Sequence, residues 1–509
     1  MRGITKPLLV LAMLLAGTSL AQETFRIAIG VDADSLDPVQ GTTTTIDNII
    51  DYMAQTLIGI DETGALVPLL ATEWSTSEDG LTMDLTLREG VVFHDGTPLT
   101  ADVVVWNFER LLDPNVNVPR RGPYAPIESV EAVDDLHVRL HLSQPAPYMA
   151  GALTQTTAAI VSPASIDLEG NSYENITHLV GTGPYTFTSR SFGERIVVTR
   201  FEDYWGEKPY YDEVVFHIVP EATTRESLLL SGQVDMIILP PASDIPALEA
   251  NPAVEVVFGP SNRTIFIVIN TSKPPLDDAR VRQALNYAVD KEAIVQGILF
   301  GAADVMDAPM AESLFGYTSI GAYPYDPERA RELLAEAGVE PGELTLDFMS
   351  PTGRYVQDFP ASQAIANYLA DVGITANVRT MDWPTYVGTM TQPVDSNETQ
   401  LHLLGWAPAF MDASQQMLQF QQSQHPPAGL ATSFYTNPEV EDLIARANAT
   451  VADAERADLY AQAARLIWED APWIFLWVQR FPMVHSADVT NISGLPNEKF
   501  YAIYARPAD

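Results

Sequence analysis

From Leu81 to Leu87 apolar and polar residues alternate without a break, with Leu81, Met83, Leu85 and Leu87 set against Thr82, Asp84 and Thr86. A period of two is that of a strand with one face buried. Asp79-Gly80 and Asp95-Gly96 bracket the region with turn chemistry. The period then lengthens. After Thr100, apolar residues fall at Val104, Val105, Phe108, Leu111 and Leu112. This is the stripe of a helix beginning near Ala101, with Thr100 as its cap. The same switching between periods runs down the chain. Residues 25–29 read as a strand, 48–58 as a helix and 133–142 as a strand. On that last strand His137, Arg139 and His141 share the polar face, and no third ligand lies near enough in sequence to suggest a metal site.

Residues 265–270 (IFIVIN) are apolar throughout, which predicts a strand buried on both faces. A long helix is predicted over 278–299. Asp326-Pro327 opens another helix, and Gly338 stops it. Residues 344–348, 361–372 and 374–379 then read strand, helix, strand, a βαβ unit with a right-handed crossover. Helices at 438–449 and 453–469 and a strand at 475–478 follow. Such alternation predicts the α/β class.

Composition narrows the function. The 509 residues contain no cysteine, which excludes disulfides, thiolate catalysis, thiolate metal sites and a lipid anchor on a mature-end cysteine. Net charge is −39, and only five of the basic residues are lysines. Such a surface disfavours nucleic acid and anionic lipid, and any bound carboxylate needs a local arginine. Residues 1–21 combine Arg2 and Lys6, an apolar run over 8–15 and a small-residue exit at Ser19-Leu20-Ala21. This is the pattern of a cleaved secretory signal. No later run is long and apolar enough to span a bilayer. The expected location is the periplasm, and the expected state a monomer.

The stretch ATEWSTSEDGLTMDLTLREGVVFHDGTPLTADVVVWNFERLLDP, from Ala71 to Pro114, resembles the hallmark of the peptide/nickel family (family 5) of extracytoplasmic solute-binding proteins of ABC importers. Asp34-Ser35-Leu36-Asp37-Pro38, Gly181-Thr182-Gly183-Pro184-Tyr185 and Arg200-Phe201-Glu202-Asp203-Tyr204-Trp205-Gly206 extend the resemblance over nearly the whole chain. It implies a large periplasmic binding protein-like II fold: two lobes, a hinge and an inserted subdomain. The expected division is lobe I at 22–62, the subdomain at 63–180, lobe I again at 181–264, lobe II at 265–480 and a return to lobe I at 481–509. The implied partners are a small-molecule or peptide ligand and an inner-membrane permease. No cofactor or metal is expected.

The resemblance also points to site residues. Arg354, in Gly353-Arg354-Tyr355, resembles the arginine that peptide binders use for a ligand carboxylate, and a guanidinium suits that task. Trp406 follows Gly405 as in the family's cleft loop, and an indole offers a flat apolar wall and one donor. Peptide binders carry an aspartate three residues later, for the ligand's amine. This chain has Ala409 there, and Asp412 is the candidate substitute. Trp383 is expected near the pocket. Thr44, with Thr43 and Thr45, is expected to offer near-lobe hydroxyls, and Tyr185 to reach the ligand from the Gly-Thr-Gly-Pro-Tyr turn. Trp468, Trp473 and Trp477 read as core. The continuation Gly405-Trp406-Ala407-Pro408 and the run Phe434-Tyr435, Asn437-Pro438-Glu439-Val440 look like the glutathione-binding branch. A nickel-metallophore or oligosaccharide ligand remains open. So does a secreted hydrolase, though the sequence holds no G-x-S-x-G, P-loop or H-E-x-x-H pattern.

Overall fold

The structure, a computed structural model, describes residues 23–508 except 34, 42, 43, 353 and 382. The signal-like segment therefore lies outside the described residues, as do Asp34, Thr43, Gly353 and Asp382 and the side chain of Thr45. Among the described residues no helix is long and apolar enough to cross a membrane.

Three sheets organise the chain. The first has seven strands, in the order Val254–Gly259, Phe481–Ser486, Met236–Ile238, Thr24–Ile29, Glu213–Ile218, Arg195–Arg200 and Tyr185–Ser191. Its central strand Thr24–Ile29 runs parallel to both neighbours. The second has six strands, Ala303–Val305, Trp473–Gln479, Thr264–Ile269, Leu401–Trp406, Thr345–Ser350 and Thr375–Thr380. All six residues of Thr264–Ile269 are buried, as a continuous apolar run requires. Trp473 stacks on Phe266 beneath this sheet, and Trp468 on Phe475. The third sheet is antiparallel and small: Ala71–Thr76, Thr82–Leu87, His137–Leu142 and Ile127–Ala132. Met83, Leu85 and Leu87 turn to its core, and helix Ala101–Leu112 covers it. The fold is α/β with two lobes and a subdomain.

Two backbone segments connect the large sheets, and they stay paired on both sides of the crossing. Val254–Gly259 lies antiparallel to Phe481–Ser486 in the near lobe. Thr264–Ile269 lies antiparallel to Trp473–Gln479 in the far lobe. Only residues 260–263 and Arg480 lie between the ladders, and Gln479 N–H still donates to the Arg263 carbonyl at 2.9 Å.

The subdomain is bolted to the near lobe by a buried charge pair. Asp37 has no exposed surface, and both its oxygens accept from the Arg110 guanidinium, one at 2.9 Å. Asp37 also accepts from Ile176 N–H at 3.0 Å. At the Gly-Thr-Gly turn, Gly183 N–H and Tyr185 N–H donate to the carbonyls of Met53 and Tyr52, each at 2.9 Å. A Cβ on Gly181 would stand 2.1 Å from the Met53 oxygen. Gly181→Ala is therefore expected to cost about 1–3 kcal/mol through backbone displacement, read as a lower denaturant midpoint.

His94 closes the same junction. Its Nδ1 accepts from Gly181 N–H at 3.2 Å, and its Nε2 lies 3.0 Å from the Gly183 oxygen. Burial lowers its pKa to about 4. Below the ordinary value of about 6.5 the unfolded chain binds a proton that the folded chain refuses, so stability falls with pH. By pH 5 this group is expected to remove about 2 kcal/mol. His94→Gln should flatten the fall in denaturant midpoint between pH 7 and pH 5.

Some elements differ from expectation. The first helix is Thr44–Ile50, not 48–58, because the Tyr52 and Met53 carbonyls are needed by the glycine turn. The long helix over 278–299 divides into Ala279–Tyr287 and Lys291–Gly297. Asp290 caps the second piece by accepting from Ala293 N–H at 2.9 Å. Thr100 holds the N-cap position of its helix without a side-chain hydrogen bond. His137 and His141 each face a carboxylate, Asp134 and Glu131, at 2.7 and 2.9 Å.

Candidate functional site

A cavity of about 350 Å³ lies where the near lobe, subdomain and far lobe converge, beside the crossing segments. An adjoining chamber of about 310 Å³ shares Thr44, Arg120, Arg263, Arg354 and Tyr355 with it. Four of the lining residues are cations, which is unusual in so acidic a chain.

Three of the four are already neutralised. Arg120 donates to Asp47 at 2.7 Å. Arg263 grips Glu498 with two bonds of 2.9 and 2.6 Å. Burial pushes the Glu498 carboxyl up, but the Arg263 charge and hydrogen bonds outweigh it and leave its pKa below the usual value. Lys499 donates to Asp51 and to the Thr156 hydroxyl, both at 2.6 Å.

Arg354 differs. It follows strand Thr345–Ser350 on a loop held by Asp358, whose Oδ2 accepts from the N–H groups of Arg354 and Tyr355 at 2.8 and 3.1 Å. Its guanidinium lies 5.4 Å from the Trp383 ring and 5.0 Å from the Tyr355 ring. It is exposed, and no salt bridge engages it among the described residues. Trp383 is itself fixed by stacking on Tyr386, with centroids 5.4 Å apart.

The far wall is the end of strand Leu401–Trp406 and the loop after it. Gly405 is required there, because a Cβ would meet Ile265 and Tyr355 at 2.6 Å. The Trp406 indole N–H donates to the Gln415 carbonyl at 3.1 Å, so the ring offers the cleft an apolar face rather than a donor. Asn262 ties the crossing segment to this loop by donating to the Pro408 carbonyl at 2.6 Å.

Unpartnered polar atoms line the cleft. Among the described residues, both amide atoms of buried Gln155 lack a protein partner, as do Asn262 Oδ1 and Asp47 Oδ1. Each belongs to a residue lining the cavity. Buried polar groups without partners are rare, and a ligand's hydrogen bonds would satisfy them. Gln155, Asn262, Arg120 and Lys499 escaped the reading of the sequence. They come from loops and turns with no periodicity, and only the fold brings them together.

Of the expected site residues, Arg354, Trp383, Trp406 and Thr44 do share this cleft. Two expectations need correction. Asp412 does not line it. Its carboxylate is buried, accepts from Arg456 at 2.5 Å and caps helix Ala413–Met417 through Ser414 N–H at 2.9 Å. Tyr185 sits in the near-lobe core, donates to the Tyr211 carbonyl at 3.2 Å and packs on Tyr52. Ala409 is exposed on the cleft wall, where no carboxylate replaces it.

Residues 65–427 match the profile of the bacterial extracellular solute-binding proteins, family 5 Middle. The chain belongs to this family. A curated relative, the glutathione-binding protein GsiB of Pectobacterium atrosepticum, is 32% identical over 497 residues, covering 96% of this chain and 95% of that one. Among solved structures, HbpA2 of Haemophilus parasuis superposes with a TM-score of 0.86 at 25% identity, covering 95% of this chain and all of the other. The periplasmic binding protein DppA of Helicobacter pylori, in complex with the peptide STSA, gives 0.73 at 26% identity over 94% and 98% of the two chains. As a family 5 member the chain is a solute-binding protein of the kind that serves ABC importers, and its relatives are binding proteins rather than enzymes.

Proposed function

We propose that this family 5 protein captures a short peptide or glutathione-like ligand in the interlobe cleft and delivers it, from the periplasm, to an inner-membrane ABC permease. The observation that carries this reading is Arg354. It is the cleft cation that makes no salt bridge among the described residues, and it lies against two aromatic rings that would shelter an ion pair from water. A ligand carboxylate completes it with parallel hydrogen bonds. The far lobe then closes over the near wall, favoured only by contacts that the closed state makes. Micromolar capture needs about 8 kcal/mol net. The ligand leaves chemically unaltered.

The amine end discriminates within this class. With Ala409 on the wall and Asp412 held by Arg456, the sequence position that carries the amine-pairing aspartate in peptide binders has no acid here, and the acid lining the cleft, Asp47, is paired with Arg120. A glutathione-like ligand, whose first residue joins through its side chain, carries its amine elsewhere. The GsiB relatives support the same choice. A calorimetric panel of glutathione, di- and tripeptides, cello-oligosaccharides and nickel–histidine tests the reading. Binding of glutathione or a short peptide supports it, and exclusive binding of a neutral sugar defeats it. Acetylating the α-amine of a bound peptide is expected to cost less than about tenfold in affinity, since no buried ion pair is broken. A hundredfold loss would show that another acid serves the amine.

A further inference from the structure

Behind the near wall of the cleft lies a second cavity, of about 400 Å³, with a different chemistry. Its size is that of a small-molecule site. Helix Thr44–Ile50 and the residues after it form one side, and the hairpin of Ile58–Ile60 and Leu66–Pro68 forms the second. The C-terminal segment forms the third. Phe500 N–H donates to Asn48 Oδ1 at 2.9 Å, which pins that segment to the helix.

The lining is phenolic. Tyr501 and Tyr504 have ring centroids 5.9 Å apart and planes inclined at 58°, which makes an open corner. Tyr204 accepts from Gln55 Nε2 at 2.9 Å, so this wall is fixed. At the inner end Tyr52 is only 1% exposed, and its hydroxyl has no protein partner among the described residues. That oxygen lies within electrostatic reach of Tyr501 and Asp51, which line the same cavity. An orphaned buried phenol calls for a hydrogen-bond partner from an occupant.

The electrostatics select the charge of that partner. Asp51, Asp61 and Glu62 line the cavity, and its one cation, Lys499, is held by Asp51 and Thr156. An anion would meet Asp61 and Glu62, beyond the Asp51–Lys499 pair, and no free positive charge among the described residues. A cation would meet carboxylates, phenol oxygens and ring faces, which attract ammonium groups.

We propose that this second cavity is a binding site for a small organic cation, an ammonium-bearing amine seated in the Tyr501–Tyr504 corner with Tyr52 accepting from it. Asn497 and Lys499 face both this cavity and the cleft, so they form the partition between the two sites. The amine site is independent of Arg354, which lines only the cleft side.

Calorimetry on the full protein, at about 0.15 M salt to screen the acidic surface, tests the proposal with n-butylammonium, its neutral counterpart 1-pentanol and the anion butyrate. The expected result is saturable one-to-one binding of n-butylammonium, at least about tenfold tighter than 1-pentanol, with none of butyrate. The pair Tyr501→Leu and Tyr504→Leu should weaken the amine about tenfold or more, and Tyr501→Phe should keep it within about threefold, because the ring face remains. Arg354→Ala should leave amine binding intact. No saturable heat, equal affinity for amine and alcohol, undiminished binding in the double variant or loss of binding in Arg354→Ala would each overturn the proposal. Should the double variant fail to fold, the wild-type ratio of amine to alcohol decides alone: tenfold supports the site and unity refutes it.

Discussion

Arg354→Ala is expected to weaken glutathione or any carboxylate-bearing peptide by tenfold or more, with almost no change in the melting temperature of the empty protein. The two halves of that expectation have one cause. Arg120, Arg263 and Lys499 are paired with Asp47, Glu498 and Asp51 inside the protein, so each helps to hold the fold. Arg354 is exposed and makes no ion pair among the described residues, so the empty protein loses little with it. Once the lobes close on a carboxylate, truncating one partner of a buried charge pair costs about 2–5 kcal/mol. Arg354→Lys should recover only part of the loss, because an ammonium lacks the fork that matches a carboxylate. Isothermal titration reads both variants, and parental affinity in Arg354→Ala would remove this residue from the site.

Asp412→Ala should do the reverse. The carboxylate and its partner Arg456 keep 7% and 2% of their side-chain surface. Arg456 also lies against the rings of Phe315 and Tyr460, at 4.7 and 5.2 Å from their centroids. Removing the acid strands a guanidinium in this shell and uncaps helix Ala413–Met417. A buried pair broken on one side costs about 3–5 kcal/mol. The expected outcome is a large drop in denaturant midpoint, with ligand affinity of the folded fraction within about threefold of the parent, since no cleft contact is lost. If the drop is small and affinity collapses, Asp412 reaches the ligand after all and the correction made above is wrong.

These two residues also show what the sequence could and could not reveal. Elements with a local signature were readable. Helix Pro327–Glu336 is capped by Asp326, as its cap-then-proline opening predicts, and the helix expected over 438–449 is Pro438–Ala449. Boundaries set from far away were not. The first helix ends at Ile50 because carbonyls just beyond it serve the glycine turn, and no residue near Ile50 announces that. The helix over 278–299 breaks after Tyr287, where Asn286 turns its amide to the backbone of Trp473 and Phe475. Arg354, Trp383 and Trp406 were legible because rare residue types recur in recognisable runs. Asp412 misled because spacing along a loop says nothing of Arg456, which the fold places opposite it. Gln155 and Asn262 were invisible, since a neutral amide on a loop has no pattern until its neighbours are known.

The paired crossing has a mechanical consequence. A ladder that resumes on each side of a short gap resists sliding and shear, because either movement would break several backbone hydrogen bonds at once. Bending across residues 260–263 and Arg480 breaks none of them. Bending is thereby the movement that leaves both ladders whole. Under the proposed capture, opposing walls would return to the same alignment on every closure, in a geometry set by the backbone.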